Sequence, residues 1–462
     1  MGLAAENRVF NAAPFAIQYP RLRNACDLDG IEALGNPWRQ AEALTPRELA
    51  ALLRPLMSEA HDLESAQRLV ALHRYWGDSV MLGAACNPLA TVKRRQGALR
   101  VGLLSAYLCD HPVGRHLLPL LRHHHREAVE FAAFCPVAQP NDAVQGEIRE
   151  SVASFNIVGA NPHDAAVRIR DARIDVLLEL DGHTKSSLIE ALAYRPAPVQ
   201  AEWLGYQFTT GLAAIDYFLF DARVMPRLQG LLCETPVVVP DSGVCFSGDE
   251  RAIIDPEPPA ARKGSSKGAV TFGTLAHPFK YSRHGFALWA GVLAAMPDSR
   301  FLMIRPEAGD PAFRANVRRA FEQEGIKPDR VDFFDSRAAG RGHYDCYNDI
   351  DIALDTWPVT GGTTTCDALW MGVPTVSLAG DAPHHRLGLG ILGAAGFGEF
   401  CASFPDEFAA IAATLAADTG RLAQLRRELR PALKQSSLGT GARFAENFTG
   451  VVTGLARRHG LR

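Results

Sequence analysis

Short apolar runs alternate with amphipathic stretches through most of this 462-residue chain. Between residues 98 and 245 the apolar runs include LRVGLLS, VEFAAFC, IDVLLEL and VQAEWL. Strands that are apolar on both faces and separated by helices are typical of a parallel sheet covered on both sides. We therefore predict an α/β domain over residues 98–245.

The alternation stops at SGDERAIIDPEPPAARKGSSKGA, a polar stretch rich in Pro, Gly and Ser that indicates a linker. It resumes with AVTFGTL, RFLMIR, VDFFD, DIALD and PTVSLAG, and the sequence after Phe404 is helical in pattern. We predict a second α/β domain with a helical tail over residues 246–462. Residues 1–97 lack strand-like runs and are predicted to form a helical segment, in which Thr45 and Glu48 fit a capping box. Two doubly wound domains of this kind face each other across a cleft.

Composition narrows the class of protein. The chain has 48 Lys and Arg residues against 51 Asp and Glu residues, a net charge of −3, which does not favour a nucleic-acid-binding surface. No apolar run reaches the length of about 18 residues that indicates a membrane span, and MGLAAENRVF lacks the apolar core of a secretory signal. The nine scattered cysteines form no C-x-x-C pair, which favours reduced thiols over disulfides or a zinc site. These features predict a cytoplasmic protein.

The segment DTWPVTGGTTTCDALWMG follows the carboxyl end of the predicted strand DIALD, where ligands of doubly wound sheets bind. Gly361 and Gly362 let the backbone approach a ligand closely. Thr363, Thr364 and Thr365 add hydroxyls at the start of a helix, whose free N–H groups attract anions. One threonine would suffice as a helix cap, so an ordinary cap is the alternative. Beside a cleft, the segment predicts a phosphate site without a Walker lysine.

Other candidate residues follow predicted strands. Lys280 comes five residues after AVTFGTL and is either a diphosphate ligand or a solvated loop lysine. His111 and His183 follow the first and third predicted strands of the first domain and are either proton-transfer groups or capping and core histidines. Asp349 and Asp351 have the D-x-D spacing of some metal sites, but they lie at the start of a strand, away from the cleft. We predict no metal site.

Several segments, taken together, resemble one family. DHPVGRHLLP, DVLLELDGHTK, YRPAPVQAEWLGYQFTTGLAAIDYFLFD, VTFGTLAHPFK and ALDTWPVTGGTTTCDALWMGVPTVSLAG occur in the order found in the catalytic region of the O-GlcNAc transferase and SPINDLY family of protein glycosyltransferases. The resemblance covers about residues 98–455. It implies a GT-B fold, in which two Rossmann-like domains face a cleft and the second binds most of the donor nucleotide. It also implies an inverting transfer to Ser or Thr hydroxyls of proteins, without a metal or other cofactor.

The resemblance assigns roles to individual residues. Lys280 matches the lysine that binds the donor diphosphate, and Thr363 and Thr364 match threonines that contact phosphate. His111 matches the active-site histidine of the first domain, and His183 matches a histidine on the acceptor side.

The remaining matches concern the nucleoside. His343 matches a histidine that stacks on the base, Ala338 lines the base pocket, and Asp367 matches a carboxylate that contacts the ribose. The O-GlcNAc members have an imidazole and a basic residue where this chain has Gly362 and Cys346, respectively. Both differences favour the SPINDLY branch, whose plant members use GDP-fucose, over a UDP-GlcNAc pocket.

Three functions fit this sequence. The leading interpretation is a protein O-glycosyltransferase with a GDP-sugar or UDP-sugar donor. The alternatives are an N-glycosyltransferase or small-molecule glycosyltransferase of the same fold, and a nucleotide-sugar-binding regulator without catalysis. The tetratricopeptide array that recruits acceptors in this family is not found in these residues. We therefore expect that residues 1–97 serve another role or that acceptor choice differs.

Overall fold

The computed structural model describes residues 15–93, 97–261 and 269–461. Residues 15–93, called the N-terminal segment below, form helices: α1 (Phe15–Asn24), α2 (Leu28–Ala33), α3 (Pro37–Glu42), α4 (Pro46–Leu49), α5 (Leu53–Leu56) and α6 (Leu63–Ala85). The capping box at the start of α4 is present, because Thr45 Oγ1 accepts from the Glu48 N–H and the Glu48 carboxylate accepts from the Thr45 N–H. The predicted helical segment is confirmed.

The first domain contains a seven-stranded parallel sheet in the order β3-β2-β1-β4-β5-β6-β7. The strands are β1 (Leu99–Leu104), β2 (Val129–Cys135), β3 (Ser154–Ile157), β4 (Val176–Glu179), β5 (Val199–Trp203), β6 (Tyr217–Phe220) and β7 (Thr235–Val238). Helices α7 (Pro112–His123), α8 (Ala143–Ser151) and α9 (Pro162–Asp171) connect the first four strands. The apolar pattern did not predict β3, because this edge strand is only partly buried.

The second domain contains a six-stranded parallel sheet in the order β10-β9-β8-β11-β12-β13. Its strands are β8 (Thr271–Thr274), β9 (Arg300–Ile304), β10 (Val331–Phe334), β11 (Ile352–Leu354), β12 (Thr375–Leu378) and β13 (Cys401–Ala402). Its helices are α10 (Arg283–Ala295), α11 (Pro311–Gln323), α12 (Thr363–Trp370), α13 (Leu387–Ala395), α14 (Pro405–Ala417) and α15 (Thr419–Gln435). The predicted α/β class with two doubly wound sheets is confirmed.

The two sheets share one topology, in which the direction of winding reverses between the first and fourth strands of each domain. These strands are β1 and β4 in the first sheet and β8 and β11 in the second. Ligands of such sheets bind beside the carboxyl ends of the strands at this reversal. His111 and Lys280 follow β1 and β8, and the segment starting at Asp355 follows β11. The topology therefore brings together loops that are far apart in sequence.

The D-x-D lies at the opposite end of β11. Asp351 accepts hydrogen bonds from the N–H groups of Thr271, at 2.8 Å, and Ala260, at 3.0 Å. Asp349 forms an ion pair with Arg341. Both carboxylates join neighbouring segments at the start of the strand, as the sequence predicts.

The last helix, α16 (Gly441–Arg458), returns to the first domain. The Phe448 ring packs on the Trp203 indole, with 4.2 Å between ring centroids, and Arg443 pairs with Asp241 at 2.7 Å. The sequence pattern predicts that the whole helical tail belongs to the second domain. The apolar face of α16 instead covers α7 and the end of β5, so the tail divides between the domains.

The N-terminal segment bonds to both domains. On the first domain, the Tyr206 hydroxyl donates to His73 Nε2 at 2.7 Å. On the second domain, the Ser58 hydroxyl donates to the Phe279 carbonyl at 2.5 Å, and Arg283 pairs with Glu32 at 2.8 Å. The segment therefore bridges the two domains on one side of the cleft.

Two further properties follow from the described residues. None of the helices seen in residues 15–93, 97–261 and 269–461 is both long and apolar enough to cross a membrane. The nine cysteines are free thiols, and most of them are buried. Their state agrees with the scattered spacing in the sequence.

Gly77 and Gly83 both lie in α6 but differ in their surroundings. A Cβ at Gly77 would lie 2.0 Å from the Gly211 carbonyl oxygen, whereas a Cβ at Gly83 would meet no atom within 4 Å. We expect Gly77→Ala to lower the free energy of unfolding by about 1–3 kcal/mol, because α6 must move away from the first domain. Gly83→Ala is the matched control and should raise that free energy by up to about 1 kcal/mol through helix propensity. Urea denaturation measures both, and equal effects would contradict the close packing of α6.

Candidate functional site

A cavity of about 300 Å³ lies where the reversal points of the two sheets face each other. Residues from both domains and from the N-terminal segment line it, among them Arg54, His111, His116, Asp181, Lys280, Arg305, His343, Gly362, Thr363 and Thr364. A second cavity of about 280 Å³ adjoins it, with His343 and Arg305 in the shared wall. The two cavities form one cleft with two compartments.

The loop between β11 and α12 is folded around the buried carboxylate of Asp355. Oδ1 accepts from the N–H groups of Thr356, at 2.7 Å, and Gly361, at 2.6 Å. Oδ2 accepts from the Ser377 hydroxyl at 2.6 Å. Burial raises the pKa of Asp355, whereas the Ser377 hydrogen bond, the Lys280 charge and the two N–H groups lower it. The carboxylate thereby fixes the path of the chain into α12.

Helix α12 begins at Thr363 without a side-chain cap, and Gly362 occupies its N-cap position. Thr363 and Thr364 line the main cavity, so their N–H groups at the positive end of the helix lie beside it. Thr365 is buried and does not line this cavity. Its hydroxyl lies under the loop, where a Cβ on Gly361 would come within 2.3 Å of it. Three consecutive helical residues span about 200°, so they cannot share one face.

Lys280 lies in the turn after β8, and its Nζ donates to the Thr360 carbonyl at 2.8 Å. Burial lowers the pKa of Lys280 to about 8, although the Asp355 carboxylate opposes this shift. The ammonium is therefore still charged at neutral pH. It stands beside the loop that leads into the uncapped helix.

His111 is the N-cap residue of α7, and its Nδ1 accepts from the Val113 N–H at 3.3 Å. The ring stacks on Tyr107, with 4.1 Å between centroids. Because Nδ1 accepts, the proton of the neutral ring is on Nε2. Burial, followed by the charges of Arg54 and Arg115, lowers the pKa of His111 to about 4, so the ring is neutral at physiological pH.

His116, which the sequence analysis missed, joins the two domains at the site. Its Nδ1–H donates to the Cys245 carbonyl at 2.8 Å. Its Nε2 is therefore an acceptor and receives the Thr363 hydroxyl at 3.2 Å. Burial lowers the pKa of His116, which keeps the ring neutral.

His343 lies in the wall between the two cavities, and its Nε2 donates to Asp367 at 2.8 Å. The His343 side chain is 48% exposed and that of Asp367 only 3%, so the carboxylate orients the ring from behind. Asp367 is not among the residues that line either cavity. Ala338 is exposed in the turn after β10, where its neighbours Ser336 and Arg337 line the second cavity.

His183 does not line the cavity. Its Nε2 donates to the Thr210 carbonyl at 2.8 Å, and its ring contacts Trp76 and His73 edge-on, at 4.5 and 4.8 Å between centroids. Burial lowers the pKa of His183 to about 4. The side chain thus packs between the first domain and α6, and Asp181, two residues earlier, lines the cavity instead.

Asp181 and Arg54 also line the cavity, although the sequence pattern does not predict either of them as a site residue. Asp181 accepts from the Ser105 hydroxyl at 2.5 Å and the Ala106 N–H at 2.7 Å, so its carboxylate is held in the floor of the cleft. Burial, with the charge of Glu179, raises the pKa of Asp181 well above its usual range. Because Asp181 comes just after the end of β4, its position in the sequence could have identified it as a candidate site residue. No comparable signal marked Arg54, because it comes from a separate helical segment.

This chain belongs to glycosyl transferase family 41, whose family model matches residues 80–253 and 260–448. Two plant relatives, each named a probable UDP-N-acetylglucosamine–peptide N-acetylglucosaminyltransferase SPINDLY, are 31% identical to it. The match to the Petunia hybrida protein covers 86% of this chain and 43% of the relative, and that to the Arabidopsis thaliana protein covers 82% and 42%. This chain thus spans less than half the length of these relatives.

A solved structure shows the same architecture. It is a lysine-to-methionine mutant of the Thermobaculum terrenum O-GlcNAc transferase, with a TM-score of 0.83 and 26% sequence identity. The match covers 96% of this chain and 83% of that chain. The resemblance to the O-GlcNAc transferase and SPINDLY family is confirmed, and so is the GT-B fold that it implied.

Proposed function

We propose that this chain transfers a sugar from a nucleoside diphosphate sugar to a Ser or Thr hydroxyl of a protein, with inversion at the anomeric carbon and without a metal ion or other cofactor. One observation carries the proposal. The Lys280 ammonium and the uncapped N-terminus of α12 lie at the cavity on the side of the second domain, and His111 lines it from the first domain. The family and the fold agree with this assignment.

The donor diphosphate binds at Lys280 and at the N–H groups and hydroxyls of Thr363 and Thr364. The acceptor oxygen attacks the anomeric carbon while the bond from that carbon to the β-phosphate oxygen breaks, which inverts the configuration. Negative charge develops on the leaving diphosphate, where the ammonium and the helix N-terminus stabilise it. Asp349 and Asp351 take no part, because they bond to other segments at the far end of β11.

His111 positions the acceptor hydroxyl and does not remove its proton. With Nδ1 accepting from the backbone, the neutral ring carries its proton on Nε2 and presents a donor. A pKa of about 4 also makes the ring a weak base. The hydroxyl proton therefore passes to an oxygen of the leaving diphosphate. His343, oriented by Asp367, holds the nucleoside, and His183 supports the docking of α6.

The proposal predicts sugar transfer in the presence of EDTA. The purified chain is incubated with GDP-fucose or UDP-GlcNAc and lysate proteins, and intact-mass spectrometry detects the addition of one deoxyhexose or one N-acetylhexosamine. Loss of the added sugar on β-elimination identifies linkage to Ser or Thr. Activity that disappears with EDTA and returns with Mn²⁺ or Mg²⁺ would overturn the metal-independent mechanism. Donor binding without any sugar release would identify a regulator, and a sugar resistant to β-elimination would indicate N-linked transfer.

Lys280→Ala should reduce transfer by about 100-fold or more, because losing one group that stabilises developing charge has this order of effect. The exposed Lys327 of the same domain provides the control, and Lys327→Ala should keep wild-type kcat and KM. Because Lys280 loses its proton above a pKa of about 8, the Kd of a nucleoside diphosphate should rise from about pH 8 upward. The Ala variant should lack this rise. A folded Lys280→Ala protein with wild-type turnover would remove Lys280 from the diphosphate site.

We propose a guanine nucleotide as the preferred donor. The second cavity has the guanidinium groups of Arg305, Arg337 and Arg341 in its wall, and guanine offers two adjacent acceptors to such a group. Cys346 is buried there and its thiol donates to the Gly342 carbonyl at 3.3 Å, so it offers no cation to a pyrimidine.

GDP should therefore raise the melting temperature more than UDP at equal concentration. Differential scanning fluorimetry measures this preference. The plant relatives have names that specify UDP-N-acetylglucosamine. A larger shift with UDP would reverse the assignment of the base and leave the diphosphate site unchanged.

A further inference from the structure

Among the described residues, none forms a hydrogen bond or an ion pair with the Arg54 guanidinium, which lines the main cavity. The side chain is half-buried, and its guanidinium lies over the Phe279 ring, 4.2 Å from the ring centroid. Within the described part of the chain, no carboxylate pairs with it and no carbonyl accepts a hydrogen bond from it. Arg305, another arginine of this cavity, differs in that it pairs with Glu307 at 3.0 Å. A half-buried guanidinium without a counter-charge needs another source of compensation.

The position of Arg54 is fixed by its neighbours on the N-terminal segment. Leu52, Leu53 and Leu56 on either side of it are fully buried. Four residues later, the Ser58 hydroxyl donates to the carbonyl of Phe279, the residue on which Arg54 packs. The segment and the turn that carries Lys280 are therefore one packed unit. The guanidinium is held in place before any ligand binds.

A second link fixes the same turn from its other side. Arg23 donates to the Tyr281 carbonyl, and Arg23 is itself held by Glu59 and by the Tyr19 hydroxyl. The carbonyls immediately before and after Lys280 thus both accept from side chains of the N-terminal segment. Since Arg54 packs on Phe279, the residue before Lys280, the Arg54 guanidinium and the Lys280 ammonium lie in the same region of the cavity.

The positive charges of Arg54 and Lys280 favour the binding of an anion in this region. Burial lowers the pKa of Arg54, and the Arg54 charge in turn contributes to the lowered pKa values of Lys280 and His111. Asp181 lines the cavity, but burial raises its pKa well above its usual range, and the Asp355 carboxylate lies beside Lys280 and accepts hydrogen bonds from Gly361 and Ser377. A diphosphate supplies the missing negative charge, and the planar guanidinium can donate two parallel hydrogen bonds to it.

We propose that Arg54 is a ligand of the donor diphosphate, so that the N-terminal segment forms part of the donor site. This inference rests on the proposed function, because it assumes that the cavity binds a nucleoside diphosphate. It assigns a role in donor binding to residues outside the two Rossmann-like domains. The stacking of the guanidinium on Phe279 leaves its N–H edge available to phosphate oxygens.

The test compares Arg54→Gln with Arg47→Gln, an exposed arginine in α4 of the same segment. Isothermal titration of the full chain measures the Kd of GDP and UDP, together with guanosine and uridine as ligands that lack phosphate. Arg54→Gln should weaken binding of the better diphosphate by about 10-fold to 100-fold, the effect of losing a charged hydrogen bond. It should leave nucleoside affinity unchanged, and Arg47→Gln should change neither.

Arg54→Lys provides a second measurement, because it keeps the charge but not the two-pronged geometry. Its diphosphate affinity should lie between those of the wild type and Arg54→Gln. If Arg54→Gln is less thermally stable than Arg47→Gln without ligand, the Lys variant, which keeps the aliphatic stem, decides the question.

The outcomes separate this inference from the proposed function. Wild-type diphosphate affinity in folded Arg54→Gln and Arg54→Lys would overturn the inference and leave the proposed function standing. A raised peptide KM with unchanged diphosphate affinity would likewise overturn it and place Arg54 on the acceptor side. Failure of the wild-type chain to bind either diphosphate would overturn both.

Discussion

The arrangement of the site depends on the hydrogen bonds that the buried carboxylate of Asp355 accepts. This carboxylate accepts hydrogen bonds from two N–H groups of its own loop and from a hydroxyl of β12. It also interacts with the positive charge of Lys280, which lies in the turn after β8. Its backbone carbonyl also accepts from the Trp289 indole on α10 at 2.8 Å. An unpaired carboxylate at this depth would cost several kcal/mol. These hydrogen bonds therefore stabilise one arrangement of the loop before α12, strand β12 and the turn that carries Lys280, and in this arrangement the N-terminus of α12 faces the cleft.

The two domains contribute different chemistry to the cleft. The second domain supplies an ammonium and a helix N-terminus, which attract negative charge. The first domain supplies neutral imidazoles and the carboxyl group of Asp181, whose pKa burial raises well above its usual range, and these groups orient a ligand by hydrogen bonds without adding charge. The Thr363 hydroxyl bonded to His116 connects these halves. Positive potential is thus concentrated where the proposed reaction develops negative charge.

The sequence was sufficient for the fold class and for residues whose position follows directly from a strand end, such as Lys280, His111 and Thr363. The sequence does not show which of several residues after a strand points into the cleft, because a side chain there can point to either side. His183 follows β4, yet it points to α6, and Asp181 occupies the cleft. The sequence places three threonine hydroxyls at the start of a helix, but it does not show that the rotation of the helix buries Thr365. Arg54 depends on the docking of a separate segment onto the Phe279 turn, a contact that has no local pattern.

The bridging position of the N-terminal segment restricts how the molecule can move. The Ala60 carbonyl accepts from His385 at 2.6 Å and from His384 at 3.0 Å in the second domain, while His73 bonds to Tyr206 in the first. Helix α16 is a second connection between the domains, because it follows α15 of the second domain in the chain and packs on Trp203 of the first. A rotation that separates the two domains at these contacts would have to break the hydrogen bonds of Ala60 or of His73. Exchange of the proposed nucleotide ligand should therefore proceed at a nearly constant distance between the domains, with only side chains and short loops rearranging, on timescales faster than those of domain rotation.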